Sequence, residues 1–334
     1  MNTEQILQNV KERYPEQLNP YCRQLVADHP ELAPLYLADV REWESAGLDM
    51  DGLGETTLSP FPHLIRTYRD RAVLLTTGHC FARCRFCFRK RLWRTDCDTV
   101  TEPDDNELAA IAAWLKANPE VDDILLSGGD ILTLPDEKIL HLIRLMQDTG
   151  TIRTIRICSR APASCPERIT DELAAMLGSV DGLWFMCHFN HPAELTPQAE
   201  CACRKLIAHG VPMLNQAVLL AGINDDPEIL RQLFKHLTYL RVKPHYLFHV
   251  DPVEGVAHFA TGVEKGLEIM ASFRDNLSSI ARPDFAVDLP CGGGKVILNP
   301  TDNLQADGSF WSPIKKIFMR HPLTEKTVSN GSGD

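Results

Sequence analysis

The residues with the clearest chemistry are three cysteines in the loop 79–91, which has the sequence HCFARCRFCFRKR. Cys80, Cys84 and Cys87 form a C-x3-C-x2-C pattern, and this loop contains no fourth cysteine. Three thiolates this close can bind three corners of one iron–sulfur cube, whereas an electron carrier normally closes all four positions with cysteine. The pattern therefore predicts a 4Fe-4S cluster with one iron left open to a small molecule.

A zinc site or a disulfide framework fits the cysteine pattern less well. A structural zinc site needs four tetrahedral ligands, and His79 beside Cys80 is poorly placed to be the fourth. A disulfide framework is disfavoured because the chain is long, its 11 cysteines are an odd number, and no signal peptide is expected. Seven cysteines outside the loop are interpreted as structural: Cys22, Cys97, Cys158, Cys165, Cys187, Cys201 and Cys203.

Composition and charge narrow the class of protein. The 334 residues, 44% of them hydrophobic, suit one large α/β domain with a small appendage. No apolar run approaches the ~18 residues of a membrane span, so we expect a soluble, cytoplasmic protein in a reducing compartment. A net charge of -11 argues against nucleic acid as a partner. The basic stretch 83–94 is the local exception, and we expect it to face carboxylates and phosphates in a site.

Strand-like and helix-like segments alternate after residue 71. This alternation predicts βαβ units, a parallel sheet and six β/α units, enough for a partial (β/α)6 barrel. We expect a helical cap or interface in 1–66, the barrel in 67–300 and a short tail in 301–334. The predicted strands are the apolar run that begins at residue 72 and the segments 123–127, 151–159, 182–188, 213–220 and 243–250, and the predicted helices lie near 104–117, 136–148, 170–178, 196–209 and 227–240.

Polar clusters follow several of the predicted strands, where such folds carry their chemistry. In the SGGD segment 127–130 the paired glycines let the backbone approach a ligand, and the acid can accept from an ammonium. His188 and His191 follow the fourth strand, a position that favours a ligand contact. Three glycines at 292–294 precede Lys295, which could form an imine beside a phosphate or ring. This last motif alone equally fits a flexible hairpin with a surface lysine.

Together these motifs resemble the lysine 2,3-aminomutase family, radical S-adenosylmethionine enzymes that also use pyridoxal phosphate. The resemblance covers about 68–300 and rests on YRDR, the cysteine loop, SGGD, SRAP, HFNHP, LNQAVLL followed by GIND, HYLFHVD and GGGK. It implies a crescent of six β/α units with the cluster at its mouth and S-adenosylmethionine on the open iron. The implied activity moves the α-amino group of L-lysine to the β-carbon.

The resemblance also implies roles for individual residues. Arg89 matches the arginine that binds the substrate carboxylate, and Asp251 and Asp288 match two acids that hold the distal ammonium of lysine. The implied cofactor residues are Lys295 as the catalytic lysine that binds pyridoxal phosphate, with Arg71, Gln216, Gly292, Gly293 and Gly294 around that cofactor, and Ser127, Gly128, Gly129, Asp130 and His188 around S-adenosylmethionine.

Two departures from the family pattern affect these expectations. Thr67 stands where a second arginine is expected, so Arg66 or Arg69 is expected to serve the cofactor phosphate. Asp226 stands where the family's larger members have a cysteine of an intersubunit zinc site, so the presence of that zinc site in this protein is left open.

Other functions remain open at this stage. The same chemistry could act on another cationic amino acid, arginine or ornithine, or could supply β-lysine for the modification of elongation factor P. From a different class, the chain could be a non-catalytic iron–sulfur electron-transfer protein. The expected partners are a small amino acid substrate, a flavodoxin- or ferredoxin-type reductant and further copies of the chain, with no nucleic acid and no membrane.

Overall fold

The computed structural model describes residues 1–44, 47–95, 102–299, 309–312 and 317–320. Nine strands form one sheet whose spatial order follows the chain, and two more form a separate hairpin. The strands of the large sheet are β1 (Leu64–Ile65), β2 (Arg71–Leu75), β3 (Asp123–Ser127), β4 (Thr154–Cys158), β5 (Leu183–Cys187), β6 (Met213–Leu219), β7 (Val242–His249), β8 (Asp284–Leu289) and β9 (Gly294–Leu298), and those of the hairpin are β10 (Ser309–Ser312) and β11 (Ile317–Arg320).

The helices connect the strands much as the sequence predicts. Four of the five predicted helices begin at a side chain that accepts a hydrogen bond from a backbone amide of the first turn, at Asp104, Thr170, Thr196 and Asp226. The helices are α1 (Thr3–Arg13), α2 (Pro20–Asp28), α3 (Arg41–Glu44), α4 (Asp105–Ala117), α5 (Asp136–Gln147), α6 (Ala161–Ser164), α7 (Asp171–Gly178), α8 (Pro197–Ala208), α9 (Pro227–Tyr239) and α10 (Val263–Asn276).

The sheet is a partial barrel. Strands β2 to β8 pair in parallel, and β1 and β9 run antiparallel to their neighbours at the two edges. Within the described residues the two edge strands do not pair with each other, so the barrel stays open. The predicted fold class and its six β/α units are confirmed. Helix α10 and the seventh parallel strand, β8, are not predicted by the sequence patterns.

Side chains alternate between the two faces of each strand and thereby separate the core from the interior of the barrel. In β3, Ile124 and Leu126 are fully buried beneath the helices, whereas Leu125 and Ser127 line the interior. The residues that line the barrel interior are therefore the ones able to form a site.

The N-terminal segment packs directly on the cysteine loop. Tyr36 and Leu35 join Phe86 of the loop and Phe259 in a second apolar cluster, and the amide of Arg85 donates to the carbonyl of Leu35 (2.9 Å). The segment thus forms one wall around the loop.

No helix in the described part of the chain is long and apolar enough to cross a membrane. Cys97 and most of the predicted tail, 301–308, 313–316 and 321–334, lie outside the described residues.

Candidate functional site

The three loop cysteines line one cavity of about 190 Å³ at the carboxyl ends of the strands. Cys80, Cys84 and Cys87 are brought together there because β2 leads directly into their loop. Gly128 and Gly129 line the same cavity. The structure therefore places the two predicted parts of the cluster site in a single cavity.

The environment of the thiols fits a bound iron–sulfur cluster. Burial raises the pKa of all three, that of Cys84 to about 11, so metal binding must displace the protons of these thiols. The guanidinium of Arg160 donates to Cys84 Sγ (Nη1 to Sγ 3.0 Å), which favours the thiolate. No group of His, Cys, Asp or Glu among the described residues could hold a single metal ion. The thiolates of an iron–sulfur cube bind different irons, so they need not converge on one point.

The SGGD segment has a backbone that only glycine permits. A Cβ on Gly129 would lie 2.1 Å from the carbonyl oxygen of His79, and Gly128 has φ +125. Asp130 is buried, and its two carboxylate oxygens accept from the amides of Leu132 (3.0 Å) and Arg160 (2.8 Å). The predicted ammonium would share this carboxylate with two backbone donors.

A second cavity of about 530 Å³ occupies the barrel interior. The predicted residues Lys295, Asp288 and Arg71 line this cavity. It adjoins the cysteine cavity, and the residues at their junction include Arg89, His188, Gln216, Asp251, Ser127 and Cys158. The structure thus brings the predicted cluster, cofactor and substrate residues into one continuous space.

Lys295 lies on β9 directly across from Asp288 on β8. Its Nζ is 2.8 Å and 2.9 Å from the two carboxylate oxygens of Asp288 and stands over the ring of Phe248. The side chain is only 19% exposed, and burial lowers its pKa, which favours the nucleophilic amine. The surface-lysine interpretation is therefore wrong, although the predicted hairpin is present: the left-handed Cys291 and Gly292 lie in its turn.

Asp251 is the second acid of this group. Its Oδ1 is buried and has no hydrogen-bond partner among the described residues. Burial, and then the neighbouring charge of Asp288, raise the pKa of Asp251 to about 7. A cation bound between these two carboxylates would give the buried oxygen of Asp251 a partner and offset the repulsion between the two negative charges. The pair therefore fits an ammonium group.

Arg89 is held by an acid that the sequence analysis missed. Glu55, in the 3-10 helix Glu55–Leu58, accepts from Arg89 Nε (2.9 and 3.0 Å) and Nη2 (2.6 Å), and also from Arg91 Nη2 (2.8 Å). Arg89 Nη1 donates to Ser127 Oγ (3.1 Å). No sequence signal identified Glu55, because it is an isolated acid in a segment without a motif.

The arginines around the barrel interior differ from the expectation. Arg71 lines the cavity and stacks over the ring of Tyr68 at 3.6 Å. Within the described residues neither Arg66 nor Arg69 lines it, and Arg66 is bound instead to Glu120 on the outside (2.7 Å). Besides Arg71 and Arg89, Arg156 of β4 lines the cavity, paired with Asp123 of β3.

His188 stands at the junction of the two cavities, and its Nε2 is buried without a partner in the described part of the chain. Burial lowers its pKa to about 3, so the imidazole is neutral and can bond a ligand. His191 instead accepts from the amide of Ala193 (3.2 Å) and caps a turn. Of the two predicted histidines, only His188 lines the cavities.

Comparison with known proteins agrees with this geometry. A model of the radical SAM superfamily matches residues 74–233. A putative L-lysine 2,3-aminomutase of Aquifex aeolicus is 38% identical over 89% of this chain and 81% of its own length. An L-lysine 2,3-aminomutase of Bacillus subtilis is 37% identical over 95% of this chain and 68% of its own length.

A relative named for a different substrate is similarly close. A glutamate 2,3-aminomutase of Clostridioides difficile is 36% identical over 85% of this chain and 67% of its own length. Identity at this level thus leaves the substrate to be argued from the site. The long matches, together with the superfamily match around the cysteine loop, establish that the chain belongs to the lysine 2,3-aminomutase family of radical S-adenosylmethionine enzymes.

Proposed function

We propose that this chain is an L-lysine 2,3-aminomutase, which moves the α-amino group of L-lysine to the β-carbon. The observation that carries the proposal is the charge of one continuous cavity. Arg89 offers a guanidinium, Asp251 and Asp288 offer two carboxylates, and Lys295 lies beside the acids. A site charged in this way fits an amino acid that has a carboxylate at one end and a cation at the other.

As a member of its family, the chain is an isomerase that works with a 4Fe-4S cluster, S-adenosylmethionine and pyridoxal phosphate. Bound together, these groups supply a radical strong enough to remove an unactivated hydrogen and a carbonyl that carries the migrating nitrogen. We propose that Cys80, Cys84 and Cys87 hold the cluster and that Lys295 holds pyridoxal phosphate. His188 and the SGGD segment would then face S-adenosylmethionine.

The remaining residues bind and orient. Arg89 would hold the α-carboxylate, and Asp251 and Asp288 the distal ammonium, so that the β-carbon is fixed between the two cavities. In the structure Asp288 is bonded to the ammonium of Lys295. Asp288 would exchange this partner for the distal ammonium of the substrate.

The same charges argue against glutamate as the substrate. A glutamate side chain would add a third carboxylate beside Asp251, whose buried oxygen already has no hydrogen-bond partner within the described residues. Arginine and ornithine satisfy the charge pattern, so length decides among the cations. We also propose a flavodoxin- or ferredoxin-type reductant and a homo-oligomeric assembly, as the family resemblance implies.

A substrate panel tests the proposal. The reconstituted, reduced protein is incubated anaerobically with lysine, arginine, ornithine or glutamate, and β-amino products are followed by mass spectrometry. We expect β-lysine to form fastest. Preferred turnover of glutamate or a neutral amino acid would contradict the two-carboxylate argument, and preferred turnover of arginine or ornithine would correct the substrate within the cationic class.

A further inference from the structure

Glu55 lies outside the superfamily match and yet lines the cavity where the substrate is proposed to bind. Glu55 is 6% exposed, and its carboxylate accepts hydrogen bonds from two N–H groups of Arg89 and one of Arg91. A carboxylate this buried is stable only when it is paired. Glu55 is therefore a fixed partner of the arginine that we propose for the substrate carboxylate.

The contacts of Arg89 define which part of the guanidinium remains for a ligand. Glu55 binds the edge formed by Nε and Nη2, and Ser127 Oγ binds Nη1. A guanidinium has five N–H donors in a planar fork. These contacts use three of them and leave one hydrogen on each terminal nitrogen for the carboxylate of a ligand.

The segment 51–58, which carries Glu55, is bonded to the hairpin of the cofactor lysine. The amides of Cys291 and Gly292 donate to the carbonyls of Gly52 (3.0 Å) and Leu53 (2.8 Å). Asp51 accepts from the amides of Glu55 (3.0 Å) and Thr56 (2.8 Å), which fixes the start of the short helix. Glu55 thus connects the position of Arg89 to the position of the hairpin that precedes Lys295.

We propose that Glu55 is the positioning residue of the substrate carboxylate site: it holds Arg89 by one edge so that the other edge faces the substrate. This inference rests on the proposed function, since it takes Arg89 as the carboxylate-binding residue. Without Glu55, the guanidinium would rotate among alternative acceptors and lose its bidentate geometry.

A competing role for Glu55 would change the affinity for a carboxylate in the opposite direction. If Glu55 only competed with the substrate for Arg89, its removal would free a positive charge and strengthen the binding of a carboxylate. The positioning role predicts weaker binding, because the neutral side chain no longer fixes the fork. The direction of one affinity change therefore separates the two roles.

The experiment compares lysine with cadaverine, which has both amino groups of lysine but no carboxylate. Affinities are measured by calorimetry on the fully reconstituted but unreduced protein, so no turnover occurs. The ratio of the two dissociation constants reports the contribution of the α-carboxylate alone. We expect Glu55→Gln to reduce the preference for lysine about tenfold or more, Glu55→Asp to reduce it less, and Glu55→Gln to add nothing in an Arg89→Gln background.

Glu254→Gln is the matched control. Glu254 also joins two arginines, Arg13 (2.9 Å) and Arg94 (2.8 Å), but it lines neither cavity. Its replacement should leave the preference for lysine unchanged. An unchanged or increased preference in Glu55→Gln would overturn the positioning role while leaving the proposed function intact. A wild-type protein without any preference for lysine over cadaverine would contradict the proposed function, and the role of Glu55 with it.

Discussion

Asp251 carries a buried carboxylate oxygen without a hydrogen-bond partner in the described ranges, next to the charge of Asp288. This arrangement opposes ionisation of Asp251 in the ligand-free protein, and the ionised carboxylate becomes favourable only when a cation is bound. Binding and stability therefore make opposite demands on this residue. Functional residues often carry such a stability penalty.

The first prediction concerns the pH dependence of stability. The pKa of Asp251 is raised to about 7 in the folded protein, against ~3.9 in an unfolded chain. Between these values the folded state keeps a proton that the unfolded state releases, so this group's contribution to stability falls as the pH rises from about 4 to about 7. Asp251→Asn should raise the melting temperature of the ligand-free protein relative to wild type. This difference should grow up to about pH 7 and keep the same size at higher pH.

Thermal unfolding followed by circular dichroism from pH 5 to pH 8.5 measures this difference. Asp181→Asn, at an exposed position, is the control and should shift the curves little at any pH. A melting temperature of Asp251→Asn that is below that of wild type at pH 8 would contradict the claim that burial and the charge of Asp288 oppose the ionisation of Asp251.

The functional role of a residue can be predicted from the sequence when the residue stands in a motif of fixed spacing. The cysteines and Lys295 stand in motifs whose spacing limits their chemistry, and the structure brings them to adjoining cavities. Glu55 and Arg156 could not be predicted in the same way, because each reaches its partner only through the fold. Arg156 meets Asp123 across two paired strands, and Glu55 meets Arg89 from 34 residues away.

Among the elements, the N-terminal segment and the cysteine loop form the most deeply buried ion-pair group of the described residues. Glu42 of α3 accepts from Arg85 (2.6 and 2.9 Å) and Lys90 (2.7 Å), and all three side chains are nearly inaccessible. Lys90 also donates to the carbonyl of Gly255 (2.8 Å). The segment therefore anchors the loop on which the cluster depends.

The second prediction follows from this anchor. Glu42→Gln leaves two buried cations without their carboxylate, which typically costs ~3–5 kcal/mol of the free energy of unfolding. Urea unfolding of the metal-free protein measures the change. Glu228→Gln removes the carboxylate of an exposed pair with Arg231 and should have little effect. Equal midpoints for the two variants would contradict the anchoring role of Glu42.

At the same scale, the strands and helices between 71 and 250 were predictable because their apolar runs and caps repeat regularly. Strand β8 was not, because its six residues begin and end near acids, Asp284 and Asp288, and resemble a loop motif. Its place in the sheet is fixed by pairing with β7 and β9. That pairing is tertiary information, which local sequence patterns do not contain.

In the whole molecule, the two cavities meet at Arg89, His188, Gln216 and Asp251. The cysteine cavity and the second cavity, which Lys295 lines, can therefore be disabled separately. A change at the cysteine end should remove all chemistry, because the cluster that would supply the radical is proposed to bind there. A change at the far end should affect the substrate while leaving the cluster end intact.

The third prediction compares two such changes. Cys84→Ala should abolish both cleavage of S-adenosylmethionine and formation of β-lysine. Asp288→Asn should lower turnover of lysine by ~100-fold or more, since a buried pair broken on one side costs ~3–5 kcal/mol and each 1.36 kcal/mol is a factor of ten. Its reductive cleavage of S-adenosylmethionine should persist. Chromatography of 5′-deoxyadenosine and β-lysine from the same reactions decides the matter, and full activity in either variant would contradict the assignment.

The most direct test of the account follows the nitrogen itself. L-Lysine labelled with ¹⁵N at the α-amino group is incubated anaerobically with the reconstituted, reduced protein, and the product is characterised by NMR. We expect β-lysine in which the ¹⁵N is bonded to the β-carbon, with no label released as ammonia. Label that stays on the α-carbon, or that appears in ammonia, would contradict it.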